Sequence, residues 1–87
     1  MTERTVQEFD AAALAELLRE HFGLAAERLC PTVSFDELGL DSLGLMELVV
    51  ALEDRTGAEL GDRVADLTPE ATLDEAARVI DAALRGE

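Results

Sequence analysis

The residues able to do chemistry in this chain of 87 gather around one hydroxyl. Ser42 follows Asp41 between a glycine-closed loop, Phe35-Asp36-Glu37-Leu38-Gly39-Leu40, and an apolar-rich run, Leu43-Gly44-Leu45-Met46-Glu47-Leu48-Val49-Val50-Ala51-Leu52-Glu53-Asp54. Asp and Ser are favoured where a helix begins, because their side-chain oxygens accept from backbone N–H groups that lack an intrahelical partner. Ser42 is therefore expected at the exposed N-terminus of a helix. Two roles are open to it there. One is a plain helix cap, a contribution of about 1 kcal/mol. The other is to accept a group, and since an unassisted Ser hydroxyl is a weak nucleophile, that role needs a separate enzyme to take its proton.

Other catalytic arrangements lack members. The chain has one histidine, His21, and one cysteine, Cys30, so hydrolase triads and the common zinc sites cannot be assembled. His21 reads as a last-turn residue beside a helix C-terminus, and Cys30 as a small, partly buried loop residue. Carboxylates abound, but nothing in their spacing points to burial that would split their pKa values. A calcium loop starting at Asp36 puts Glu47 at position 12, as an EF-hand requires, yet Leu38 and Leu40 occupy the ligand positions and Asp41 replaces the glycine of the turn.

The elements that must hold Ser42 are helical. After it, Leu45, Leu48, Val49 and Leu52 recur at i, i+3, i+4, i+7 and form a core face. Leu43, Met46, Glu47, Val50 and Asp54 fall on another face, where hydrophobes mix with carboxylates; such a stripe beside Ser42 suggests docking of partners with basic rims. Asp10 caps an expected first helix over 11–22, with Leu14, Leu17, Leu18 and Phe22 inward and Gly23 as its stop. Residues 24–40 form a long connection broken by Pro31, with Leu24, Leu29, Val33, Phe35, Leu38 and Leu40 as apolar anchors. Residues 62–67 suggest one or two turns of a short third helix. Thr72 and Glu75 fit a capping box for a last helix, with Leu73, Ala76, Ala77, Ile80, Ala83 and Leu84 inward and Gly86 at its end. No strand pattern is present. The expectation is an all-α, three- to four-helix bundle, a single domain over 1–87 with residues 1–6 frayed.

Composition narrows the function classes. The net charge is −13, and all seven basic residues are arginine. Nucleic acid and anionic membrane surfaces are disfavoured by that charge, while basic protein partners are favoured. Between positions 36 and 62 stand eight carboxylates (Asp36, Glu37, Asp41, Glu47, Glu53, Asp54, Glu59, Asp62) against Arg55 alone. No apolar run approaches the ~20 residues of a membrane span. With no signal-peptide core at the start and a single cysteine, the chain reads as cytoplasmic; a monomer is expected.

The run Leu38-Gly39-Leu40-Asp41-Ser42-Leu43, with an acidic and apolar helix behind it, resembles the attachment motif of acyl carrier proteins. The resemblance extends to the order of helices over nearly the whole chain. It implies that Ser42 bears 4'-phosphopantetheine through a phosphodiester, installed from coenzyme A by a phosphopantetheinyl transferase with a divalent metal in its own site, and that the chain is a carrier rather than an enzyme. It also implies that Asp41 serves the transferase or its metal. Free N–H groups at a helix start favour the phosphodiester there; Asp41 opposes it by charge. The family often has an Ile-Pro pair where this chain has Leu60-Gly61, so entry to the short helix is looser. Gly44 leaves two readings, room for the arm or a partner and tolerance of glycine in a first turn. The stretches 41–47 and 62–70 look most like free-standing carriers of bacterial type II polyketide synthases, implying a ketosynthase, an acyltransferase and tailoring enzymes as partners. Fatty-acid and aminoacyl or peptidyl carriers are the alternatives, and an unmodified acidic helical adaptor is the alternative from another class.

Overall fold

Helix α1, Ala11–Phe22, starts where Asp10 Oδ1 accepts from the Ala13 N–H at 3.0 Å and stops at Gly23, whose φ of 71° puts it in the left-handed conformation. In this computed structural model, which describes residues 9–86, α1 buries Leu14, Leu17 and Leu18. The expected fraying of residues 1–6 lies outside the described residues. Helix α2 spans Ser42–Thr56 and ends at Gly57, with φ 76°. Helix α3 spans Leu73–Leu84, and its capping box is complete: Glu75 N–H donates to Thr72 Oγ1 at 3.1 Å and Thr72 N–H to Glu75 Oε1 at 3.0 Å. The three helices bear out the all-α reading. Among them α1 and α3 pack closest. The buried hydrophobic side chains of all three, with Phe35, Leu38, Leu40, Leu60 and Val64 from the connections, form one cluster.

The long connection is pinned as its anchors require. Phe35, Leu38 and Leu40 are buried, and Leu24, Leu29 and Val33 lie partly buried against the cluster. Its backbone is also stitched to the lead-in of α3. Phe35 N–H donates to Ala71 O (3.2 Å), Asp36 N–H to Pro69 O (2.7 Å), Leu73 N–H to Val33 O (3.0 Å) and Asp74 N–H to Pro31 O (2.9 Å). Ser34 and Thr72 pair as an isolated antiparallel bridge in this ladder. Ser34 and Glu37 close the turn before Ser42 reciprocally, Ser34 N–H on Glu37 Oε1 and Glu37 N–H on Ser34 Oγ. Residues 26–28 make a single 3-10 turn, and Cys30 is exposed rather than partly buried, because its neighbour Leu29 is the side chain turned inward.

Residues 61–66 depart from expectation: they form linked turns, not a short helix. Arg63 N–H and Val64 N–H both donate to Leu60 O, and Leu67 N–H donates to Val64 O, so bond spacings mix and no i→i−4 run develops. A helix this short recovers too few bonds to offset its nucleation. Leu60 and Val64 are its fully buried anchors, and Glu53 holds its first amides from outside.

Candidate functional site

Asp41, not Ser42, is the cap of α2: its Oδ1 accepts from the Gly44 N–H at 3.0 Å. Ser42 is thereby the first helical residue. Its side chain is exposed, and its hydroxyl makes no hydrogen bond with any described residue. The division of labour removes the capping role from Ser42 and leaves its oxygen exposed. Its backbone N–H is among those that a helix start leaves without an intrahelical partner, and it lies at the positive end of the α2 dipole. A phosphodiester fits that position, with the Asp41 carboxylate an adverse charge beside it.

Gly44, one turn into the helix, is accounted for by packing. A Cβ there would lie 2.9 Å from Leu40 Cδ2. The space beside Gly44 is occupied by the loop's own last anchor, so a side chain there would push on Leu40. Phe35 in turn holds Leu40, whose N–H donates to Phe35 O at 2.9 Å. A continuous series of contacts thus runs from the α3 lead-in through Phe35 and Leu40 to the turn that carries Ser42.

The expected docking residues share one stripe of α2. Leu43, Met46 and Val50 are 63%, 64% and 62% exposed, and Glu47 and Asp54 are exposed beside them. Leu45, Leu48 and Leu52 face the core as expected. Val49, placed on the core face by its spacing, is only partly buried, because a groove opens along that side of the helix.

Charge is sorted around this stripe. Ion pairs neutralise carboxylates on α1 and α3: Glu16 with Arg19, Glu20 with Arg55, Asp74 with Arg78 and Asp81 with Arg85. The Arg55 hydrogen bond holds the Glu20 carboxyl below the usual range. No carboxylate between 36 and 62 has an ion-pair partner among the described residues. The stripe beside Ser42 therefore carries carboxylates without ion-pair partners, whereas α1 and α3 pair several of theirs.

Two features had no sequence signal. The first is the groove, about 480 Å³, which starts at Ser42 and is lined by Leu45, Met46, Val49 and Val50 on α2 and by Val64, Ala65 and Leu67 opposite. The second is Glu53, which lies on that stripe and turns its carboxylate toward the turn segment. Its Oε2 accepts from the Leu60 N–H at 2.7 Å and the Gly61 N–H at 3.0 Å. A carboxylate reaching seven residues along the chain has no local motif; helix-cap periodicity alone could not have found it.

An exposed serine without a capping duty, at the start of the second of three helices and beside an apolar groove, is the arrangement of a prosthetic-group carrier. A family model described as the phosphopantetheine attachment site matches residues 12–80. Among curated proteins, an acyl carrier protein of Sinorhizobium fredii and the acyl carrier protein AcpP of Rhizobium meliloti are each 40% identical to the chain over 57 residues, 64% of this chain and 73% of theirs. No solved structure matches the chain significantly. The chain belongs to the acyl carrier protein family, whose members are carriers, not catalysts, and hold 4'-phosphopantetheine covalently.

Proposed function

We propose that Ser42 carries the 4'-phosphopantetheine arm and that the chain tethers growing acyl or polyketide intermediates on it as thioesters. The observation that carries this reading is the exposed, unbonded Ser42 hydroxyl next to an Asp41 that does the capping. In the loading step Ser42 Oγ bonds to the pantetheine-bearing phosphorus of coenzyme A. The pyrophosphate P–O bond breaks, the adenosine bisphosphate leaves, and the hydroxyl proton passes to a base of the transferase. The arm supplies a thiol that holds acyl groups.

Partners dock on Leu43, Met46, Glu47, Val50 and Asp54, with Asp41 at the edge of the same surface. Apolar centres and unneutralised carboxylates fit partners with basic rims and make a small, salt-sensitive contact that releases readily. Tethering raises the concentration of an intermediate at each successive enzyme. The groove beside Ser42 is an apolar shelter next to the attachment point, suited to an acyl chain. The transferase, a ketosynthase, an acyltransferase and tailoring enzymes are the partners in this reading, in the cytoplasm. Among the described residues no helix is long and apolar enough to cross a membrane. Service in a type II polyketide synthase is supported by the local likeness at 41–47 and 62–70. A fatty-acid role is the second reading; the name acyl carrier protein, which the rhizobial relatives bear, is common to both.

Incubation with coenzyme A and a broad-specificity phosphopantetheinyl transferase, followed by intact-mass measurement, tests the attachment. Wild type gains one phosphopantetheinyl group and Ser42→Ala gains none. An unmodified wild type under several transferases would instead support the adaptor. Malonyl-loaded protein offered to a type II polyketide ketosynthase pair and to a fatty-acid ketosynthase separates the two pathways by which one extends it.

A further inference from the structure

The groove beside Ser42 has one helical wall and one wall of turns. Its α2 side is a single stripe, Ser42, Leu45, Met46, Val49, Val50 and Glu53, which covers about 16 Å along the helix axis at 1.5 Å per residue. The opposite side, from Gly61 to Leu67, lacks the i→i−4 ladder that would stiffen it. Among the described residues, the hydrogen bonds that join α2 to that wall are the two accepted by Glu53 Oε2. Arg63 holds the wall to the other side of the molecule, its Nη1 donating to Ala83 O at 3.2 Å. Gly61 brings no side chain of its own to the contact, and a Cβ there would find Glu53 Oε2 at 3.9 Å.

We infer that Glu53 is a positioning residue for the carried acyl chain: it latches the wall of turns to α2 and so keeps the groove narrow enough to shelter cargo. The inference rests on the reading that Ser42 bears the arm and that the groove takes its acyl chain. The physical basis is that one carboxylate oxygen satisfies two consecutive amides at the start of a segment that otherwise depends on Leu60 and Val64 for its place. Hydrogen bonds to a charged acceptor are about twice as strong as neutral ones. Without them the wall keeps its two buried anchors but loses its register against α2. The groove then opens at the end away from Ser42.

The test loads wild type, Glu53→Ala and Glu53→Gln with an octanoyl group carrying a terminal trifluoromethyl, delivered from its coenzyme A thioester. Fluorine NMR then reads the cargo's shift and its protection from a dissolved paramagnetic agent. Amide exchange at Leu60 and Gly61 is measured in parallel. Wild type is expected to show a shift displaced from that of the free acyl-pantetheine, with strong protection. Glu53→Ala is expected to move toward the free value, lose most protection, and exchange both amides about tenfold faster. Glu53→Gln keeps an oxygen that accepts the same two N–H groups, so it restores protection; a loss caused by general unfolding would not be rescued in this way. Wild-type protection in Glu53→Ala, with the two amides exchanging faster, would overturn the latch and leave the shelter standing. An unprotected cargo in wild type would overturn both, and uptake by Ser42→Ala would overturn the attachment itself.

Discussion

Asp41 combines a cap and a charge next to Ser42, and two substitutions separate them. Asp41→Ala removes the oxygen that accepts from the Gly44 N–H at 3.0 Å, a loss of about 1 kcal/mol for an N-cap. It also removes a negative charge from the positive end of the α2 dipole, about 0.3–1 kcal/mol more at an exposed position. The net charge of −13 acts the other way, since one carboxylate fewer relieves self-repulsion. The expected total is a loss of about 1 kcal/mol, or about 4–8 °C in melting temperature for a domain of this size. Asp41→Asn keeps a side-chain oxygen for Gly44 and ranks with Asp as a cap, so its stability should stay within a few tenths of a kcal/mol of wild type. Urea unfolding is the assay, read as a shifted midpoint at constant slope. The two variants then diverge in use. If the transferase reads the charge, Asp41→Asn slows phosphopantetheinyl transfer at nearly full stability. Equal stability of Asp41→Ala and wild type would refute the assignment of the cap to Asp41 and return that role to Ser42.

Two further outcomes follow from the packing and the titrating groups. Phe35→Ala empties the centre of the loop that positions Ser42 and is expected to cost about 3–5 kcal/mol, a large part of the stability of a small domain, with a urea midpoint lowered accordingly; a loss below about 1 kcal/mol would mean that the loop is not anchored through this ring. Asp81 accepts from the Phe9 N–H at 2.9 Å and pairs with Arg85, and these hold its carboxyl below the usual range. A carboxyl with a lowered folded-state pKa stabilises above its unfolded value of about 3.9, and that contribution fades as pH falls through the folded value. The stability gap between wild type and Asp81→Asn should therefore be full at neutral pH and close below about pH 4; a gap independent of pH would show that the charge contributes nothing.

Much of the frame was legible along the chain because its signals are local. Asp10 and Gly23 bracket α1, Thr72 and Glu75 make the capping box, and the spacing of Leu45, Leu48 and Leu52 marks the inner face of α2. Each depends on residues no more than a few positions apart, where helix geometry alone sets the neighbours. Ser42 was legible for the same reason, as a serine at a helix start between a glycine-closed loop and an acidic, apolar helix.

What tertiary structure decided involves residues whose meeting no local rule dictates. Asp41 and Ser42 are both good cap residues, and only the path of the loop, held by Phe35 and Leu40 against the α3 lead-in, selects Asp41 and frees the serine. Residues 61–66 carry helix-compatible side chains but become turns, because so short a helix recovers too few bonds to offset its nucleation, and only Leu60 and Val64 anchor the stretch by burial. Gly44 packs closely against a leucine of the loop, and Val49 loses part of its burial to the groove beside it. The amino-acid sequence by itself determined three helices and a serine at the start of the second, since periodicity and capping are properties of one helix at a time. The openness of that hydroxyl, the groove beside it and the latch across the groove exist only once separate segments are packed together, because burial and hydrogen-bond partners at that range are set by the whole chain.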